Sequence, residues 1–347
     1  MTGSQKRIRD YGIIVGDLPT GTTNRITDVK GVKVGHCTIH NDTNHTGVTV
    51  ILPGEDNPFL HKYTAAAYVH NGFGKTIGIP QIKELGTLET PIALTNTLNV
   101  GKVSDALISY MIETVHQEGK EVYSINPVVG ECNDSLINSI QKRAVTEENV
   151  RKAIQIADVL FEEGSVGAGT GTICYGLKGG IGSASRVITI DNYNYTIGVL
   201  VQSNFGSTRD FILNGKPIGK DIEEQLKKPQ SSYSQEDRGS IMTILATDLP
   251  VSDRQLYRII RRCGVGIART GAYTGHGSGE IMIGFTTANR HSDDHIQSFS
   301  CIHEDLINHA FKACAEAVHE AILNSMITTE PAHTTDGRII HSLKEFI

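Results

Sequence analysis

Apolar side chains recur at every second position through Ile281, Ile283 and Phe285, the period of two that marks a strand with one buried face. Runs rich in Val and Ile predict further strands at 47–53 (GVTVILP), 187–190 (VITI), 196–202 (TIGVLVQ) and 241–248 (IMTILATD). Between them, helical spacing appears at 101–118, 146–163, 252–264 and 303–326. Thr146 is placed to cap the second of these helices, and Ile154, Ala157, Leu160 and Phe161 form its expected buried stripe. On the last, Ile307, Phe311, Cys314, Val318 and Ile322 make the apolar stripe, with Glu316 and Glu320 opposite in the pattern of a solvated face. Strands mixed with a few long helices, without a regular strand-helix-strand rhythm, predict layered α and β rather than a Rossmann array or a TIM barrel. The polar segment 216–239 reads as a surface excursion within one domain.

Composition narrows the partners. A chain of 347 residues can bury a core without metals or disulfides. Its net charge of -6, with no basic stripe, argues against a grip on nucleic acid or an anionic membrane. Six scattered cysteines without a CxxC pair read as reduced core thiols. The opening MTGSQKRIRDYG lacks the apolar stretch of a signal peptide, and no run reaches the roughly 20 apolar residues that span a bilayer, so a cytoplasmic protein is expected.

Several motifs fail on inspection. HNGFGKT (70–76) ends like a phosphate-binding loop, but Val69 stands where the first glycine is needed. GAGTGT (167–172) lacks the dinucleotide-loop register and reads as close backbone approach. The 14 histidines include no HExxH, the cysteines show no metal spacing, and no metal is expected. The loop TGHGSG (274–279) places Ser278 at the entrance of the strand over 281–285, too early for an esterase elbow, where the serine follows the strand. Gly-Ser recurs at 164–165, 206–207 and 239–240, so the dipeptide alone selects nothing.

Taken in order, RIRDYGI (7–13), TNRITDVKGVKVGHCTI (23–39), the long stretch 71–101, PVVGECND (127–134), GAGTGTICYGLKGGIGSASR (167–186), GVLVQSNFG (198–206), GSIMTILATDLP (239–250), ARTGAYTGHGSGEIMIGFTT (268–287) and EAILNSM (320–326) cover most of the chain. Together they resemble the L-aminopeptidase/D-esterase family of self-processing serine hydrolases, which includes the β-aminopeptidases. The resemblance implies a single αββα sandwich of the aminopeptidase/ornithine acetyltransferase type over 1–347. It also implies a chain that cuts itself before a serine, here read as the Gly277–Ser278 bond, giving fragments 1–277 and 278–347.

Such a cut leaves Ser278 with a nucleophilic hydroxyl and an α-amine whose reference pKa is about 7.7 to 8.0, able to act as its own base. The resemblance further implies Asn204 as an oxyanion donor and Asn133, where relatives carry a tyrosine, as a second. Glu131 becomes the partner of the substrate's ammonium group, and Glu320 the acidic residue of the smaller fragment. The family's accompanying serine has no clear counterpart, since Ala317 and His319 stand nearby. The expected substrate is a small peptide, aminoacyl amide or ester, with no cofactor and a homo-oligomeric assembly. An acyltransferase like the related ornithine acetyltransferases, or a homologue that binds ligand without cutting itself, are the alternatives.

Overall fold

The computed structural model describes residues 5–226 and 238–347. Strands β1 (Lys33–His40), β2 (His45–Leu52), β3 (Lys62–Gly72), β4 (Thr87–Leu88), β5 (Ile92–Asn96), β6 (Val128–Cys132), β7 (Ile181–Ile190), β8 (Tyr193–Asn204), β9 (Arg238–Thr247) and β10 (Gly277–His291) build its two principal sheets. One runs β1-β2-β5-β6 and the other β4-β3-β10-β9-β8-β7. Pairing is antiparallel except for β5 with β6 and β9 with β10, which are parallel.

Alternation along the strands divides the core. Ile281, Ile283 and Phe285 of β10 join Met242 and Ile244 of β9, Leu94 of β5 and Val128 of β6 in a cluster fed by both sheets. Met282, Ile241 and Leu245, of opposite parity, face a second cluster built with helices. Val48, Val50, Ala93 and Val129 turn to a third. Each fully buried Val, Leu, Ile, Phe or Met contributes roughly 1.5–3 kcal/mol.

The helices are α1 (Ile79–Leu85), α2 (Val100–Gln117), α3 (Glu147–Gln155), α4 (Gly219–Gln225), α5 (Asp253–Ile260), α6 (Cys263–Ala268) and α7 (Ile307–Ile327). α2 and α3 pack on the smaller sheet, whereas α7 lies on β7 and β8, with α5 against β3 and β10. The result is a mixed α/β fold with helices packed on both sheets. Among the described residues no helix is long and apolar enough to cross a membrane.

Four expectations need correction. The helix expected over 146–163 stops at Gln155, because Asp158 exchanges backbone hydrogen bonds with Val34 of β1 at 3.0 and 3.1 Å; Leu160 is consequently exposed. The helix expected over 252–264 breaks into α5 and α6 at Arg261 and Arg262. Glu316 and Glu320 are buried, at 2% and 0% exposure, since α7 is enclosed on nearly all sides from Ala313 onward. Five cysteines are core residues, but Cys301 is exposed. Close approach around 167–172 holds: a Cβ on Gly169 would stand 2.4 Å from the Ile181 nitrogen. Of the polar excursion at 216–239, residues 227–237 lie outside the described residues.

Candidate active site

A cavity of about 620 Å³ opens where five segments meet. Phe73 and Lys75 come from the turn after β3, Thr97, Glu131 and Asn133 from the ends of β5 and β6, Gly239 and Ser240 from the entrance of β9, and Tyr273 with 275–277 from the approach to β10. The volume lies within the roughly 300 to 1,000 Å³ range of small-molecule sites.

Glu131 is 4% exposed and sits on β6 opposite Thr95. One carboxylate oxygen accepts the Lys75 N–H at 3.0 Å, and the other accepts the Thr97 hydroxyl. Both donors are neutral, and among the described residues no cation pairs with this carboxylate. A buried negative charge so arranged is fixed in orientation yet uncompensated, a setting that favours an incoming cation. Asn133 lies on the same wall, its side-chain oxygen accepting the Ser135 N–H at 3.0 Å. Behind it, burial pushes the Asp134 carboxyl up to about 6 against hydrogen bonds from Thr46 and Asn138.

Two serines stand on adjacent strands near the cavity, offset by one residue. Parallel pairing sets Gly239 beside Ser278 and Ser240 beside Gly279. Ser278 is wholly buried, its hydroxyl donates to the Glu280 carboxylate, and its N–H bonds the Gly275 carbonyl at 3.0 Å. The Asn71 amide fastens the same turn by donating to the carbonyls of Gly275, His276 and Ser278. Ser278 shares strand parity with Glu280 and with Met282, which packs on the helix side; Gly277 is the neighbour that reaches the cavity.

Ser240, in contrast, forms part of the cavity wall. Gly239 before it has φ +139°, a region open to glycine, and a Cβ there would lie 1.9 Å from the Asn204 carbonyl oxygen. Asn204 ends β8 opposite Ser240. Its side-chain oxygen accepts the Ile173 N–H at 3.0 Å, which turns the amide hydrogens into the remaining donors.

Glu131, Asn133 and Gly277 thus share one cavity, with Asn204 paired to its serine. Glu320 is not brought there. Its carboxylate accepts from Arg9 at 2.7 and 2.8 Å, from Arg186 at 2.7 Å and from Asn24 at 2.5 Å. Burial pushes its pKa up, but the Arg9 hydrogen bond and the Arg186 charge outweigh that and hold it below the usual value. Along the ladder, Arg186 aligns with Ile197, Thr247 and Thr286, and Thr286 is eight residues, about 26 Å of strand, from Ser278. Glu280 is the carboxylate that touches Ser278.

Sequence reasoning passed over Ser240, Glu280 and Lys75. Gly239-Ser240 directly precedes IMTILATD, whereas Gly279-Glu280 separate Gly277-Ser278 from IMIGFTT; the pairing of β9 with β10 then gives the two serines different surroundings. Glu280 carried a signal, since a period of two puts residues 278 and 280 on one face.

Comparison with known proteins identifies relatives over nearly the whole chain. The sequence pattern of peptidase family S58 matches residues 24–340. The β-peptidyl aminopeptidase BapA of Sphingosinicella microcystinivorans is 33% identical over 97% of this chain and 89% of its own. A crystal structure of a protein from Pyrococcus horikoshii OT3 superposes with TM-score 0.91 at 43% identity, covering 97% of this chain and 96% of that one. The L-aminopeptidase D-Ala-esterase/amidase of Ochrobactrum anthropi, described as a prototype serine aminopeptidase and a variant of the Ntn hydrolase fold, gives TM-score 0.88 at 34% identity over 97% of this chain and 95% of that one. By the extent of these matches, the chain belongs to peptidase family S58.

Proposed function

We propose that this protein is an autoproteolytically activated serine aminopeptidase/amidase that releases small N-terminal residues from short peptides, amides or esters, with Ser240 as its nucleophile. The observation that carries this reading is the pairing of a cavity-facing serine, preceded by a glycine at φ +139°, with a buried carboxylate that lacks a cationic partner. Ser278, the serine expected from sequence, has its hydroxyl committed to Glu280 outside that wall.

The Ser240 hydroxyl attacks the Gly239 carbonyl carbon, the peptide nitrogen leaves as the Ser240 amine, and water hydrolyses the resulting ester. Ser278 with Glu280 lies beside Gly239 and supports this step by orienting the adjacent strand. The exposed amine then serves as general base for its own hydroxyl. Glu131 takes the substrate's ammonium group. Ser240 attacks the neighbouring carbonyl, and the Asn204 amide, with Asn133 as a second donor, offers hydrogen bonds to the developing oxyanion, each worth roughly 2.7 to 4 kcal/mol at the transition state. The amine takes the hydroxyl's proton and returns it to the departing amine; water then releases the acyl group.

The layering fits an αββα sandwich, one domain cut into 1–239 and 240–347. Homo-oligomeric assembly rests on the family resemblance, and cytoplasmic location on the sequence features above together with cysteines that are mostly core residues. The test is the mass of the purified polypeptide. Two fragments, the smaller beginning at Ser240, with Ser240→Ala remaining intact and inactive, are the expected result. A fragment beginning at Ser278 would return the role to that residue, and a single uncut chain that hydrolyses aminoacyl amides would overturn the mechanism. Incubation with acetylated ornithine and glutamate yields acetylglutamate only if an amine replaces water as acceptor.

A further inference from the structure

We propose that this cavity prefers substrates bearing a carboxylate on the departing side of the scissile bond, and that Lys75 recognises it; the inference rests on the aminopeptidase reading above. The segment HNGFGKT, which failed as a phosphate loop, leaves β3 and turns along the cavity wall. There the Lys75 N–H holds the Glu131 carboxylate, while the Lys75 ammonium lies 4.7 Å from the centroid of the Phe73 ring. Both Phe73 and Lys75 are exposed, whereas Glu131 is buried.

Among the described lining residues Lys75 carries the permanent positive charge and Glu131 the negative one. No carboxylate of the described residues pairs with Lys75. The cavity is therefore dipolar, with its negative charge buried and its positive charge at the exposed lip. A substrate whose ammonium is drawn to Glu131 has its acyl part there, so its departing part extends toward the opening. A carboxylate on that part then meets Lys75, and a small zwitterionic peptide complements both charges at once. Phe73 limits the directions the lysine can take, since its ring face attracts the ammonium. A C-terminal carboxylate and an acidic side chain in the second residue present the same chemistry.

The test uses the processed enzyme and three compounds built on a residue it turns over: a dipeptide ending in glycine, that dipeptide's C-terminal amide, and a dipeptide ending in aspartate with only its α-carboxyl amidated. The free acid should exceed the amide in kcat/KM by roughly two- to fivefold, the scale of a partly exposed charge pair. The gain should lie in KM and shrink in about 1 M salt. Lys75→Met should bring the ratio close to one, and Lys75→Arg should retain it. A matching gain with the aspartyl compound shows that side-chain carboxylates are read as well; a gain with the glycyl acid alone assigns the site to the chain terminus. Equal kcat/KM for acid and amide, or a preference untouched by Lys75→Met, would overturn the proposal. Calorimetric binding, to the processed enzyme, of analogues of the same compounds whose scissile amide is replaced by a non-hydrolysable link separates two failures. Lys75-dependent binding without turnover in the unmutated enzyme refutes only the aminopeptidase reading, while equal binding of acid and amide refutes this one.

Discussion

Replacing Glu131 by glutamine changes one charge and almost no volume. The glutamine oxygen can still accept the Lys75 N–H or the Thr97 hydroxyl, so the local fold should survive. Lost is the buried negative charge facing a substrate ammonium. Truncating one partner of a buried charged pair typically costs about 2 to 5 kcal/mol, and glutamine, still able to accept a hydrogen bond, belongs near the lower part of that range. A loss of about 2 to 4 kcal/mol corresponds to a fall in kcat/KM of roughly 30- to 900-fold. The assay compares an aminoacyl amide with its analogue carrying hydrogen in place of the α-amine. Glu131→Gln should depress only the first, so the two substrates should converge. If both fall equally, or if the amine-bearing substrate loses less than about threefold, then Glu131 does not bind the ammonium group and the orientation of substrate in the cavity is wrong.

Gly239→Ala should impair self-cleavage, because alanine must hold φ +139° with its Cβ at 1.9 Å from the Asn204 carbonyl oxygen; strain of this kind costs about 1–3 kcal/mol, and the ratio of cut to uncut chain on a denaturing gel reads the effect. Glu320→Ala leaves the fully buried Arg186 with Glu316 as its one carboxylate partner among the described residues. A loss of about 3 kcal/mol is expected from breaking a buried pair, or a Tm lower by about 4 °C for a chain of 347 residues, measured by calorimetry. Because the folded Glu320 pKa is depressed, its contribution is complete above the unfolded-state value and disappears as pH falls through the folded one. The Tm difference between the parent and Glu320→Ala should therefore narrow on strong acidification.

Legibility in the sequence followed the range of the interaction concerned. Strands signalled by local runs of Val and Ile are legible: 187–190 and 196–202 lie inside β7 and β8, and 241–248 overruns β9 by one residue. β1 and β3 were not anticipated, since their burial depends on partners elsewhere in the chain. Leu160 fits a helical stripe by spacing alone, yet the bridge from Val34 to Asp158 ends that helix first. Glu320 reads as a solvent-facing residue until Arg9 and Arg186 are brought across from more than a hundred residues away. The Gly-Ser dipeptides at 239 and 277 are alike, but strand pairing makes one a wall of the cavity and the other part of its support.

The order of strands in the larger sheet has a consequence for maturation. β9 and β10 are its inner members, hydrogen-bonded on one side to β3 and on the other to β8. Severing the bond before Ser240 would leave a C-terminal piece wedged between two strands of the N-terminal piece, so the break would free an end without releasing a fragment. Assembly would have to come before scission, and scission would be remembered: a matured molecule, once denatured, could regain its shape only by a bimolecular encounter, at a yield set by concentration.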